Sequence, residues 1–242
     1  MFPILNIQPT EKQSLGYRSI LDVHSLFYTI QGEGPFAGRP AVFIRLAGCN
    51  LQCPLCDTDY TDGRHKASVP GIVGKVCCLA EHLPKSNPPL VVITGGEPFR
   101  QYLSDLIVEL LGEGFPVQIE TNGTLYQELP WCDELTIVCS PKTGALNKHL
   151  VPHIDAFKYV LAAESVSAYD GLPLSALGHP NSGQVARPPA GFSGTIYLQP
   201  IDDHRATPLN NFMTEHLAAC VKSCMTYGYT LGFQLHKFLN LP

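Results

Sequence analysis

Ala41-Val42-Phe43-Ile44-Arg45-Leu46-Ala47-Gly48-Cys49-Asn50-Leu51-Gln52-Cys53-Pro54-Leu55-Cys56 carries an apolar, β-branched run straight into three closely spaced cysteines. The run reads as a strand. Pro54 would break any helix through the cysteines, so the thiols are expected on a loop at the strand's carboxyl end, converging on one centre. Three thiolates are one short of the four that close an ordinary zinc or iron-sulfur site, which leaves one metal position open to an outside ligand. Zinc with His65 as a fourth ligand, or three inert buried thiols, are the plainer readings of the same spacing.

Outward from that stretch, similar short runs recur at residues 23–30, 90–94, 117–121, 135–139, 156–161 and 195–198. Helical spacing of apolar residues is clearest over 103–111 and 209–227. Strands alternating with helices predict an α/β fold built on a mostly parallel sheet, closed or partly closed, with functional residues at the carboxyl ends of strands. One domain over 1–242 is expected: a strand and turn at 22–40, a core over 41–200, and a carboxyl-terminal helix and tail over 207–242. Residues 171–194, rich in Pro, Gly and Ser, read as a surface loop insertion.

Of the 242 residues, 45% are hydrophobic and only 15% charged, below the roughly 25% usual for soluble domains, so a sizeable core is expected. The net charge is −5 with no basic run, which argues against a nucleic-acid partner. No apolar stretch is long enough for a membrane helix and the first residues do not form a secretory core, so the expected address is cytoplasmic. The nine cysteines are an odd number without a leader, which favours reduced thiols over a disulfide framework. Cys77, Cys78, Cys132, Cys139, Cys220 and Cys224 lack metal-ligand spacing and read as core or indifferent thiols.

Gly32-x-Gly34-x-x-Ala37 imitates a dinucleotide fingerprint, but Pro35, Gly38 and Pro40 follow where a helix should open. What remains is a turn whose glycines allow close backbone approach, with Gln31 and Glu33 able to face a flat heterocycle; a simple hairpin is the bland account. Arg45, inside an apolar run, needs an anionic partner, either a substrate carboxylate or an internal Asp or Glu. Thr94-Gly95-Gly96-Glu97 ends the next strand with exposed backbone and a carboxylate that can accept from an ammonium group. Glu120 and Asn122 end another strand, as hydrogen-bonding side chains at its carboxyl end or as caps. Phe233, Leu235, Phe238, Leu239 and Leu241 suggest a docked tail that brings His236 and the carboxylate of Pro242 near a pocket, or merely packs His236.

Cys49-x3-Cys53-x2-Cys56 resembles the cluster motif of the radical S-adenosylmethionine (SAM) superfamily. Gln31-Gly32-Glu33-Gly34, Phe43-Ile44-Arg45-Leu46, Cys56-Asp57-Thr58, Thr94-Gly95-Gly96-Glu97-Pro98, Ile119-Glu120-Thr121-Asn122-Gly123-Thr124, Ser140-Pro141-Lys142, Leu198-Gln199-Pro200-Ile201 and Gln234-Leu235-His236-Lys237-Phe238-Leu239-Asn240 follow in order. Together they resemble the 7-carboxy-7-deazaguanine synthase family. Leu55 departs from the aromatic residue frequent before the third cysteine, and residues 61–89 and 171–194 match nothing.

The resemblance implies a partial, modified (βα)6-type radical SAM barrel with an N-terminal extension and a docked C-terminal tail. It implies a 4Fe-4S cluster on Cys49, Cys53 and Cys56, whose fourth iron binds SAM. Gly95, Gly96, Glu97, Ser140, Lys142 and Gln199 would contact SAM, and Thr58 would hold Mg2+. Gln31, Gly32, Glu33, Arg45, Thr94, Glu120, Asn122, His236 and Pro242 would bind 6-carboxy-5,6,7,8-tetrahydropterin. The implied reaction is reductive cleavage of SAM, hydrogen abstraction from the pterin, and ring contraction to 7-carboxy-7-deazaguanine with loss of ammonia, as a step in 7-deazapurine (queuosine-type) biosynthesis. A reducing electron donor such as a flavodoxin and a homodimer are implied by the same resemblance. A radical enzyme activating another protein, or a zinc-stabilised binding module, are the competing readings.

Overall fold

In chain order the elements are β1 (Ile20–Ile30), β2 (Pro40–Leu46), β3 (His65–Ser68), α1 (Val69–Ala80), β4 (Leu90–Gly95), α2 (Ser104–Gly112), β5 (Val117–Thr121), β6 (Leu135–Cys139), β7 (Ala156–Leu161), β8 (Thr195–Pro200), α3 (Glu215–Tyr227), β9 (Thr230–Leu231) and α4 (Leu235–Leu239). This computed structural model describes residues 5–16, 18–179, 184–202 and 214–242. The nine strands among the described residues form one sheet, in the order β3-β1-β2-β4-β5-β6-β7-β8-β9. From β2 to β9 every neighbouring pair is parallel, while β1 lies antiparallel between β2 and β3. The sheet is the mostly parallel α/β architecture expected.

The parallel strands place their two side-chain faces in different surroundings, as a period of two requires. Val42, Ile44 and Leu46 of β2, Val91 and Ile93 of β4, Ile137 and Cys139 of β6, and Phe157 and Tyr159 of β7 enter the main core with α1 and α2. Their neighbours in sequence face the other way. On that second face, Phe43, Arg45, Thr94, Glu120, Lys158 and Gln199 surround a cavity.

Local chemistry explains the element ends. Ser68 caps α1 by accepting from Gly71 N at 3.3 Å, and Thr214 caps α3 by accepting from Leu217 N at 3.2 Å. Gly228, at φ +79°, closes α3 in the left-handed conformation.

Several expectations change. Residues 61–89 hold β3 and α1, which the sequence pattern left unassigned because Pro70, Gly71 and Gly74 dilute the helical signal. The crossovers from β5 to β6, β6 to β7 and β7 to β8 contain no α-helix among the described residues, so the helical layer is thinner than a full (βα)6 pattern. The segment 171–194 is more than a surface insertion: Leu172, Ala176 and Val185 are buried in the core. Residues 180–183 of that segment, and 209–213 of the expected helix over 209–227, lie outside the described residues. No helix is long and apolar enough to cross a membrane among the described residues.

Candidate active site

β2 ends at Leu46, and the chain then turns through Gly48 into the cysteine loop. Gly96 N donates to Leu46 O at 3.1 Å and Glu97 N to Gly48 O at 3.0 Å, which ties the end of β4 to that turn. A methyl group on Gly95 would overlap the Leu46 carbonyl oxygen, and one on Gly96 would overlap that of Gly48. The two glycines therefore allow close approach of two backbones as well as lining the cavity.

The cavity measures about 410 Å³ and opens on Cys49, Cys53 and Cys56. All three are free thiols; Cys49 and Cys53 are buried and Cys56 half-buried. Burial pushes the Cys49 thiol up to about 12 and Cys53 up to about 11, and raises Cys56. Alone they stay protonated at neutral pH, and a bound cation reverses that preference. Thr58 lines the same cavity with its hydroxyl 3.3 Å from Asp57 Oδ1. His65, the alternative zinc ligand, is exposed on β3 and does not line the cavity.

An ionic array drawn from β4, β5, β7, the turn after β1 and the residue before α4 occupies the same cavity. Lys158 pairs with Glu33 and lies 3.6 Å from Glu120. Gln31 Nε2 donates to Glu120 Oε1 at 3.1 Å, Thr94 Oγ1 donates to Glu120 Oε2 at 3.2 Å, and Gln234 Nε2 donates to Glu33 Oε1 at 2.8 Å. Burial alone would raise the Glu33 carboxyl, but the adjoining Lys158 ammonium overrides it and holds the group well below the usual carboxylate range. Burial likewise opposes charge on Lys158, and Glu120 and Glu33 reverse the effect, so the lysine stays protonated. Arg45 is half-buried, its guanidinium 5.7 Å from the Phe27 ring centroid, with no ion pair among the described residues.

The remaining sequence-selected residues divide into two groups. Ser140, Lys142, Gln199, Asn122 and His236 line the cavity. Lys142 Nζ donates to Ser140 O at 2.8 Å, Asn122 Nδ2 donates to Asn50 Oδ1 at 2.9 Å, and burial lowers the His236 imidazole. Gly32, Glu97 and Pro242 do not line it. Gly32 is packed against His236, and its carbonyl accepts from Leu235 N at 3.1 Å, so it seats the tail. Glu97 is fully buried and spends its carboxylate on Thr121 Oγ1 at 2.8 Å, Phe99 N at 3.0 Å and Asn122 N at 2.7 Å. Burial outweighs these three donors and pushes it up to about 7. Pro242 is exposed, its carbonyl 3.5 Å from Thr29 Oγ1.

Lys158 escaped the sequence reading, and Asn50, Gln234 and Lys237 stood in its motifs without a role. Lys158 had a signal: a lysine inside the apolar run Ala156-Phe157-Lys158-Tyr159-Val160-Leu161 is as anomalous as Arg45 in β2.

The donor set suits the implied group. Three free thiols share one cavity, and Gln199, which also lines it, has a buried side-chain oxygen with no hydrogen-bond partner among the described residues. Among the described residues no three His, Cys, Asp or Glu side chains are grouped to hold one metal ion; a polynuclear cluster does not require that, since each thiolate takes a different iron.

No protein-family model matches the chain. It is 45% identical over 226 residues to a 7-carboxy-7-deazaguanine synthase of Rhodospirillum rubrum, covering 90% of this chain and 92% of that protein. It is 40% identical over 227 residues to the synthase of Rickettsia prowazekii, covering 91% and 88%. The crystal structure of QueE from Escherichia coli superposes with a TM-score of 0.66 at 25% identity, covering 89% of this chain and 94% of that one. With strand-end residues and cysteine loop gathered on one cavity and these likenesses running nearly end to end, the chain belongs to the 7-carboxy-7-deazaguanine synthase family.

Proposed function

We propose that this chain catalyses the radical SAM-dependent ring contraction of 6-carboxy-5,6,7,8-tetrahydropterin to 7-carboxy-7-deazaguanine, with release of ammonia. The observation that carries the reading is the opening of three thiols and a buried carboxylate–lysine array onto one cavity at the carboxyl ends of parallel strands. Cys49, Cys53 and Cys56 would hold a 4Fe-4S cluster, with SAM at its open iron. When bound, the pair supplies reductive cleavage of SAM and a hydrogen-abstracting radical.

The protein's own residues bind and orient. Glu33, kept ionised by Lys158, and Glu120, beside the same ammonium, accept from the N–H edges of a pterin, and Gln31 and Gln234 hold those carboxylates in place. Arg45, with its charge unspent, pairs with the pterin carboxylate. Ser140, Lys142 and Gln199 bound the SAM side, while Gly95 and Gly96 let the backbone come close. Thr58 would hold Mg2+, an ion that takes few protein ligands and completes its shell with water and substrate oxygens. The tail residues Gln234, His236 and Lys237 cover the cavity and exclude water. A low-potential donor such as a flavodoxin, a homodimer and a cytoplasmic setting complete the proposal.

Anaerobic reconstitution with iron and sulfide tests the reading. The native protein should turn brown, cleave SAM and convert the carboxypterin, whereas Cys49→Ala, Cys53→Ala and Cys56→Ala should each lose SAM cleavage to background. Colourless protein with one zinc per chain, or full activity with one cysteine missing, overturns it. Cluster and SAM cleavage without turnover of the carboxypterin would point to a protein-activating radical enzyme.

A further inference from the structure

The segment before β1 runs along the outside of the cysteine loop and bonds to its backbone. Asn6 N donates to Pro54 O at 2.9 Å, Asn6 Nδ2 to Cys53 O at 3.1 Å, and Glu11 N to Cys49 O at 2.7 Å. Gln8 Nε2 donates to Thr58 O at 2.9 Å and to Asn6 Oδ1 at 3.1 Å, while its Oε1 accepts from Tyr60 N at 2.7 Å and Thr61 Oγ1 at 3.3 Å. Apolar burial does not hold the segment here, because Leu5 is 59% and Ile7 87% exposed. Its side-chain amides meet carbonyls of a loop that has no helix or strand of its own to satisfy them.

We infer that Asn6 and Gln8 are positioning residues for the cluster: they hold the backbone from Cys49 to Thr58 in its ligating shape, so that the thiols need not be ordered when iron binds. The inference rests on the cluster reading above. Without the brace, Thr58 O loses its amide donor, Cys53 O keeps only Cys56 N at 3.1 Å, and the three ligands gain conformational freedom that binding must remove. Gln8 is suited to the task because one amide reaches both Thr58 and Tyr60, on either side of Asp59, with a donor and an acceptor.

Gln8→Glu and Asn6→Asp keep the shape of each side chain but turn an oxygen toward the carbonyl that the amide nitrogen now serves. Gln13→Glu is the control, since Gln13 lies in the same segment and donates instead to Phe99 O and Tyr126 O, away from the cysteines. The reconstituted full-length proteins are compared by iron release to a chelator under argon, the electron paramagnetic resonance spectrum of the reduced cluster, and Tm. The expected result is iron release roughly tenfold faster in Gln8→Glu and Asn6→Asp, from loss of hydrogen bonds to the loop carbonyls, with an altered spectrum and Tm within a few degrees of native. Gln13→Glu should release iron at the native rate. Equal release from all four proteins overturns the inference, and so does equal acceleration in Gln13→Glu or a matching collapse of Tm, which would mark general loosening. Native protein that takes up no cluster at all is a separate result, visible before any variant is made, and removes the reading beneath the inference.

Discussion

Lys158 pairs at once with the buried Glu33 and the half-buried Glu120, and its removal is the sharpest single-residue test of the site's electrostatics. Lys158→Met is expected to cost about 3–5 kcal/mol in urea denaturation at pH 7, because Glu33 and Glu120 are left without a counter-charge. The pH dependence follows in sign. In the native protein Glu33 lies below its ordinary 4.5, so its contribution is complete above pH 4.5 and fades as pH falls toward the folded value. In Lys158→Met only the lesser Gln234 hydrogen bond and His236 still oppose burial, which lifts the carboxyl, so folding favours its protonated form and stability drops as pH rises. The gap between native and variant should therefore narrow from pH 7 to pH 4; a constant gap would show that Lys158 acts by packing alone.

At the scale of elements, two glycines that look alike in sequence have opposite expectations. Gly95 ends β4 at φ +123°, and a methyl there would overlap the Leu46 carbonyl oxygen. Gly95→Ala should cost about 3 kcal/mol or more, from backbone strain plus a forced separation of β2 and β4. Gly74 lies inside α1, where an added methyl would meet nothing within 4 Å, so Gly74→Ala should stabilise by about 0.4–1 kcal/mol. Urea midpoints with unchanged m-values check both. The strands were legible because runs such as Val91-Val92-Ile93 are β-branched and uniformly apolar. The helix α1 was not, because Val69-Pro70-Gly71 opens it with residues that also read as a turn, and its packing against α2 and the β1–β2–β3 side of the sheet joins the Ser68 cap in selecting the helix.

For the molecule as a whole, the tail is the part whose contribution depends most on distant contacts. Leu235 N bonds to Gly32 O, Gln234 reaches Glu33, and Lys237 pairs with Asp57 at 3.4 Å and Asp202 at 2.7 Å, so α4 joins the first turn, the cysteine loop and the end of β8. Deleting residues 235–242 should leave cluster content and Tm near native while carboxypterin turnover falls at least about tenfold, since substrate orientation and water exclusion are lost together. Loss of the cluster in the deletion would instead make the tail part of the cysteine loop's support. Lys237→Ala alone should cost under about 1 kcal/mol, as expected of partly exposed pairs.

The sequence by itself determined the parallel strands, the loop placement of Cys49, Cys53 and Cys56, and the unusual charge of Arg45, because each is written in local periodicity, in Pro54, or in one polar residue among apolar ones. Only the tertiary structure decided that Glu97 is buried under the cavity, that Gly32 seats the tail, that Lys158 binds Glu33 and Glu120, and that Asn6 and Gln8 brace the cysteine loop. Those facts join residues dozens to more than a hundred positions apart, and no local pattern specifies which donor meets which acceptor until the strands have brought them within hydrogen-bonding distance.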